Sequence, residues 1–356
     1  MSACDACLQR SALLAAAAGA IERVARRRSR LPALLALHDR DLVAALKIGH
    51  PDRSAAASVA AAATARGLTT TCAHAAEFPR KLDALPDRAA ALFLRGDRSI
   101  LDLLRAEPAA AVVGSRRAST YGLEVSRRLG RELAACGVPV VSGMAFGVDA
   151  AAHEGALDGG GPTVAVLACG ADTAYPRGNL ALYGRVARSG LVVSEMPPGF
   201  RPFRWCFPAR NRIMAGLSSM TIVVEGAADS GSLITANFAA ELGRDVGAVP
   251  GQVTSGLAAG PNGLLADGAH VVRDASDVLD VLFGPDGFRS RDRKHATPTL
   301  SAELQTLLDA VEKGEGTAEA IAGDPAAVPQ VLSGLAELEL LGLVRREAGG
   351  CYLRCS

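Results

Sequence analysis

The stretch AAVVGSRRASTYG, residues 110–122, runs from a short apolar segment into a turn and then into polar, helix-compatible sequence. An apolar strand that ends at a glycine is where a dinucleotide-binding fold carries its GxGxxG fingerprint. Here a single glycine, Gly114, is followed by Ser115, Arg116 and Arg117. A loop that opens a helix offers backbone N–H groups and the positive end of the helix dipole, so the position reads as an anion seat. Hydroxyls at Ser115, Ser119 and Thr120 add donors, and Arg116 can grip a phosphate in fork geometry. Bare glycines suit one pyrophosphate pressed against backbone, whereas two arginines suit a polymer that brings one phosphate per nucleotide.

Six further apolar runs follow, separated by helical stretches: VPVVSG (138–143), TVAVLACG (163–170), GLVVSE (190–195), MTIVVEG (220–226), DVGAVPG (245–251) and AHVVRD (269–274). Strands buried on both faces and alternating with helices predict a parallel sheet covered on either side. Residues 76–284 are therefore expected to form an extended Rossmann-like, doubly wound, mainly parallel α/β domain. Ligands of such sheets bind beyond the carboxyl ends of the strands, which places function in the loops after these runs.

With 356 residues, 49% of them hydrophobic, the chain can bury a sizeable core in two or three domains. Its formal net charge is only +1, so a polyanion must be met by a local patch rather than a global field. Residues 1–75 are rich in Ala, Leu and Arg with breaks at Pro32 and around Gly49–Pro51, and predict a small helical domain. Its basic run RVARRRSR (23–30) reads as a solvated helix face. Residues 285–299 predict a linker, and 300–356 a winged-helix-like domain ending in a hairpin that turns at Gly349–Gly350. Glu337 and Glu339 on the expected recognition helix favour a protein-contact or structural role there over groove binding.

LLAAAAGAI (13–21) resembles an export-signal core, but Asp5 precedes it and the helical period continues into ERVARRRSR. No apolar run reaches the roughly 18 residues of a spanning helix. A cytoplasmic protein without a membrane partner is expected. The eight cysteines are spread along a chain with a core of its own, so reduced thiols are the expectation. Cys4 and Cys7 form CxxC, and Cys72 with His74 forms CxH; all four are of a type that zinc accepts. The second pair lacks the usual finger spacing, and neither a metal nor a cofactor is assigned from sequence.

Three other loops carry candidate chemistry. In SGMAFGVDAAAH (142–153), Asp149 predicts a helix cap and His153 a buried, hydrogen-bonded ring, in preference to an acid/base pair. RPFRWCFPARNRIMAG (201–216) interleaves four arginines with Phe203, Trp205 and Phe207. That mixture suits single-stranded nucleic acid, whose phosphates take the charge while unpaired bases stack on rings. In VVEGAADSGSLITANFA (223–239), Glu225 facing Ser230 and Ser232 reads as a loop brace. The chain lacks GxxxxGK[ST], HExxH and GxSxG, and no constellation for covalent catalysis is visible. It is not expected to be an enzyme.

The motifs VVGSRRASTYG, SGMAFGVDAAAH, VAVLACGADTAYPRGN, FPARNRIMAGLS and VVEGAADSGSLITANFAAELGRDVGAVPG resemble, in order and spacing, those of the DNA-processing protein A (DprA, or Smf) family. The resemblance covers about residues 76–282. It implies a homodimer that binds single-stranded DNA, protects it, and hands it to the recombinase RecA despite single-strand-binding protein, in natural transformation and recombination. The implied DNA contacts are Gly114, Ser115, Arg116, Arg117, Arg204, Phe207, Arg210, Asn211 and Arg212. Phe146 stands where the family usually has an arginine, and Leu264 and Leu265 are the implied dimer seam. The competing class is a nucleotide-phosphoribosyl hydrolase, or another nucleotide-binding enzyme, working through Glu225.

Overall fold

The computed structural model describes residues 3–25, 31–52, 54–285, 301–314, 316–340, 343–346 and 350–354, to which all that follows refers. Each of the seven apolar runs contains a strand: β3 Ala110–Val113, β4 Val140–Ser142, β5 Thr163–Val166, β6 Leu191–Ser194, β7 Met220–Val223, β8 Asp245–Ala248 and β9 His270–Val271. Two more, β1 Thr69–Cys72 and β2 Ala91–Gly96, extend the sheet at one edge. The order is β1-β2-β6-β5-β4-β3-β7-β8-β9, parallel from β6 to β9, with β2 antiparallel to both β6 and β1. The fold is thus the mainly parallel α/β sheet expected. β1 falls in the stretch expected to be helical; its run of three β-branched threonines suits a pleated edge.

The helices, in chain order, are α1 Asp5–Val24, α2 Leu31–Leu35, α3 Asp39–Leu46, α4 Ala55–Ala65, α5 Ser99–Ala106, α6 Thr120–Ala135, α7 Val148–Asp158, α8 Leu180–Ser189, α9 Cys206–Leu217, α10 Gly231–Glu241, α11 Ala259–Ala266 and α12 Ala275–Phe283. Alternation along β3 shows why both faces need cover. Ala111 and Val113 join a core with Leu104 of α5, Ile213 of α9 and Ala236 of α10, whereas Ala110 and Val112 join one with Leu129 of α6, Ala152 of α7 and Val278 of α12. Each fully buried valine contributes about 1.5–3 kcal/mol relative to exposure.

The helices before residue 66 share their cores with the rest of the unit, in one place with the sheet and in another with the start of α9. Leu8 and Ala63 pack with Phe93 and Val192, and Leu14 and Ile21 pack with Trp205 and Ala209. Met1–Phe288 accordingly forms one compact unit, where a separate 1–75 domain was expected, and Arg289–Ser356 forms a second. The second unit has helices α13 Ala302–Glu312, α14 Ala318–Ala322 and α15 Val328–Leu340, then an antiparallel pair, β10 Val344–Arg346 and β11 Tyr352–Arg354. Its core gathers Leu308, Leu335, Leu338 and Tyr352, while Glu337 and Glu339 are exposed. The linker expected at 285–299, apart from Pro285, Arg26–Arg30 of the basic run and Gly349 of the expected hairpin turn lie outside the described residues.

Candidate nucleic-acid interface

Strand order reverses at β3: β4, β5 and β6 lie to one side of it and β7, β8 and β9 to the other. Such a switch point leaves a crevice at the carboxyl ends of the strands. Here it is a cleft of about 620 Å³ floored by α9 and walled by the loops after β3 and β7. The two loops are tied together by main chain, since Ser115 N–H donates to the Glu225 carbonyl at 2.7 Å. Only glycine fits at 114, because a Cβ there would lie 2.8 Å from that carbonyl and 2.6 Å from the Val148 side chain.

The Glu225 carboxylate accepts hydrogen bonds from Ser119 N–H (2.8 Å) and Ser119 Oγ (2.5 Å). It ties the β7 loop to the start of α6, whereas the expected bracing was toward Ser230 and Ser232. Those two serines bond each other (Oγ to Oγ 2.8 Å), and Ser230 caps α10 by accepting from Ser232 N–H. The anion seat at the α6 N-terminus is therefore filled by the chain's own carboxylate. Ser115 Oγ is likewise engaged, accepting from Arg117 N–H at 3.1 Å.

Positive charge in the cleft comes from side chains. Arg116 is exposed, and its guanidinium carbon lies 5.2 Å from the centroid of the Phe207 ring. Phe207 in turn meets Tyr175 with centroids 5.7 Å apart and planes inclined at 47°. Arg204 is exposed on the wall of the same cleft, as is Gly231 at the start of α10, with Ser230 half-buried beside it. A smaller depression of about 90 Å³ adjoins it, sharing Arg116, Tyr175, Phe207 and Arg210 and adding Phe146. Phe146 and Tyr175 are among the exposed large side chains, at 46% and 40%. The Arg117 side chain is exposed but lines neither cavity.

The remaining candidates are buried. Arg210 donates through Nη1 to the carbonyls of Gly143 and Val166 (2.8 Å) and through Nε to Asn211 Oδ1, knitting the ends of β4 and β5 beneath the cleft. A Cβ at Gly143 would collide with that guanidinium. Asn211 Nδ2 reaches the Gly231 carbonyl at 3.3 Å. Arg210 and Asn211 still face the cleft. Arg212 does not: it is 2% exposed and lies between Asp87 (Nε to Oδ2 2.9 Å, off the hydrogen-bond direction) and Glu195 (Nη2 to Oε2 2.7 Å). Removal from water of so large a charge demands that pairing, so Arg212 is a structural ion, not a DNA contact. Burial pushes the Glu195 carboxyl up, and its carboxylate partners hold the Arg212 guanidinium charged despite burial.

Trp205 is also core, donating Nε1–H to the Ala18 carbonyl at 3.1 Å, which leaves Phe203 and Phe207 as the accessible rings of that segment. Asp149 does not cap α7; its Oδ2 accepts from Gly143 and Ala145 N–H, and burial pushes its carboxyl up. His153 is buried and bonded to Thr163 Oγ1 at 2.7 Å, as expected, with burial pushing it down to about 3. Leu264 and Leu265 are half-buried on α11, Leu264 against the core. Cys4, Cys7, Cys72 and His74, far apart in sequence, are brought together. Tyr175 is the site residue that sequence reading missed. Its only signal was position, after β5 and hence at the carboxyl edge of the sheet.

Among the described residues no helix is long and apolar enough to cross a membrane. The model of the DNA recombination-mediator protein A family matches residues 69–283. A putative DNA processing protein DprA of Mycobacterium tuberculosis is 44% identical over 246 residues, which is 68% of this chain but only 63% of that protein. Protein Smf of Escherichia coli is 38% identical over 287 residues, 78% of this chain and 75% of that one. The X-ray structure of DNA processing protein A from Streptococcus pneumoniae superposes with a TM-score of 0.62 at 32% identity, covering 79% of this chain and 99% of that one. The Helicobacter pylori protein, described for its single-stranded DNA binding mode, gives 0.54 at 30% identity, covering 60% of this chain and 95% of that one. With this much of the chain matched, and with the glycine turns, switch-point cleft and nine-stranded sheet in place, the chain belongs to the DNA recombination-mediator protein A family, that of DprA and Smf.

Proposed function

We propose that the switch-point cleft binds single-stranded DNA without chemistry on it. The observation that carries this reading is the Arg116 guanidinium 5.2 Å over the Phe207 ring, with the tilted Tyr175 ring beyond it. Cation and rings at one cleft mouth match a phosphate followed by an unpaired base, and duplex DNA would hide that base. Arg116 and Arg204 take phosphates, Phe207, Tyr175 and Phe146 take bases, and the capped start of α10 at Ser230–Ser232 supplies a further phosphate seat. Arg210, Asn211, Gly114 and Ser115 shape the floor. Phe146 therefore exchanges a phosphate contact for a stacking one. That the H. pylori relative is described as binding single-stranded DNA supports the same reading.

The hydrolase alternative loses its reagent, because both Glu225 oxygens are held by Ser119. At the level of the whole protein, we place the chain as a homodimer joined near Leu264 and Leu265. It would shield incoming single strands and pass them to RecA in competition with single-strand-binding protein, in the cytoplasm, during natural transformation and recombination. Anisotropy titration of a fluorescent oligo-dT and of a duplex of equal length, at two salt concentrations, tests the binding. Tight, salt-dependent binding of the single strand with weak duplex binding is expected. Equal affinity for the two forms, or none for either, overturns the reading.

A further inference from the structure

We propose that Cys4, Cys7, Cys72 and His74 form a structural Zn²⁺ site that fastens the start of α1 to the edge strand β1. Their ligand atoms all lie within 4.8 Å of one another. His74 Nδ1 is 3.4 Å from both Cys4 Sγ and Cys7 Sγ. With metal–sulfur near 2.3 Å and metal–nitrogen near 2.0–2.1 Å, tetrahedral zinc sets S···N at about 3.6 Å and S···S at about 3.8 Å. The group therefore needs to contract by about 1 Å at most to hold the ion.

Two features beyond proximity point to a metal. First, Cys4 N–H is directed at Cys72 Sγ, 3.4 Å away, the amide-to-sulfur contact that steadies a metal-bound thiolate. Second, burial is graded: Cys7 and Cys72 are inside, whereas Cys4 and His74 are exposed, which gives a buried floor and an open side for entry. The three thiols and the ring come from two short motifs more than sixty residues apart, presented by a helix start and a strand end that also share the Ala3 N–H to Thr70 Oγ1 bond at 3.0 Å. Zinc would take the three cysteines as thiolates and His74 through a ring nitrogen. None of the four lines the cleft, and the proposal stands independently of what the cleft binds. The staple does reach it mechanically, because the far part of α1 packs on Trp205, next to Arg204.

The test uses the full chain, expressed with added zinc and purified without chelator. Elemental analysis should find about one zinc per chain, and cobalt exchanged into the site should show the intense visible bands of tetrahedral thiolate coordination. Cys7→Ser and Cys72→Ser should lower zinc content at least about fivefold, and His74→Cys should retain it where His74→Ala does not. Should the serine variants misfold, cobalt titration of the wild-type chain still decides the matter. Zinc below about a tenth of an equivalent with no tetrahedral cobalt spectrum overturns the proposal, as does full zinc content in the Cys7→Ser/Cys72→Ser double variant.

Discussion

Replacing Arg116 with alanine removes a charge from the cleft without disturbing the core, because the side chain is exposed. Its contact with Phe207 at 5.2 Å is worth about 0.5–1 kcal/mol at such a site and is already made in the free protein. What is lost on binding is the charge-assisted bond to a phosphate, about 1.5–3 kcal/mol net of competition with water, taken toward the low end at this exposed site. A net loss of about 1.5–2 kcal/mol, or roughly 10–30-fold in Kd, is expected. One fewer neutralised phosphate should also flatten the slope of log K against log salt by about 0.7. Phe207→Leu provides the contrast: it should cost about 1–3 kcal/mol through lost stacking and leave the slope unchanged. Arg116→Lys should recover the slope. The assay is oligo-dT anisotropy across a salt series, with melting curves to confirm that each variant is folded. If Arg116→Ala leaves affinity and slope untouched, or Phe207→Leu flattens the slope equally, the division of labour argued here is wrong.

Arg212→Ala should destabilise the fold by about 3–5 kcal/mol, since it strands the Asp87 and Glu195 carboxylates in the core, and a urea midpoint measures this. A variant of wild-type stability with a flattened salt slope would return Arg212 to the DNA. Glu225→Gln should cost about 1–2 kcal/mol by weakening the bonds from Ser119, with no change in hydrolysis of nucleotides or phosphoribosyl compounds. Turnover by the wild type that vanishes in Glu225→Gln would revive the enzyme reading. His153 is held neutral, pushed from 6.5 down to about 3, so the unfolded chain binds the extra proton between those values and stability falls as pH falls through that window. From pH 6.5 to pH 5 the wild type should lose about 1.6 kcal/mol more than His153→Gln, read from unfolding curves at the two pH values.

The sheet was legible because its parallel strands are buried on both faces and so read as uninterrupted apolar runs; every such run contains a strand. β1 was missed as a strand because an antiparallel edge needs no such run, Thr69–Cys72 being mostly polar; β2 was missed although Ala91–Leu94 is a buried apolar run, because four such residues before Arg95 and Gly96 do not by themselves separate strand from helix. The boundary at residue 75 was not legible either, since the head borrows its core from Trp205 and Phe93, far along the chain. The same limit explains Arg212. Residues 209–217 of α9 are all buried, so no polar face distinguishes an arginine that looks outward from one locked to distant carboxylates. Arg116 and Phe207 were legible because the strand-end rule and the basic-aromatic composition each name a place. That the two places are one required the fold.

The proposed binding of a polyanion by a chain of net charge +1 rests on charges sorted by depth. Arg212 is neutralised by Asp87 and Glu195, and Arg210 lies near the buried Asp149, whose carboxyl it opposes burial in keeping ionised. Glu225 occupies the positive end of α6, where a free phosphate would otherwise settle against backbone. On the proposed function, that carboxylate takes the seat a Rossmann fold normally offers a mononucleotide, which leaves anion recognition to Arg116, Arg204 and the start of α10. Among the described residues no carboxylate pairs with Arg116 or Arg204. Charges at a cleft mouth, alternating with rings, favour a ligand that continues past the cleft over one enclosed by it. A single strand of nucleic acid meets that condition, and a free nucleotide does not.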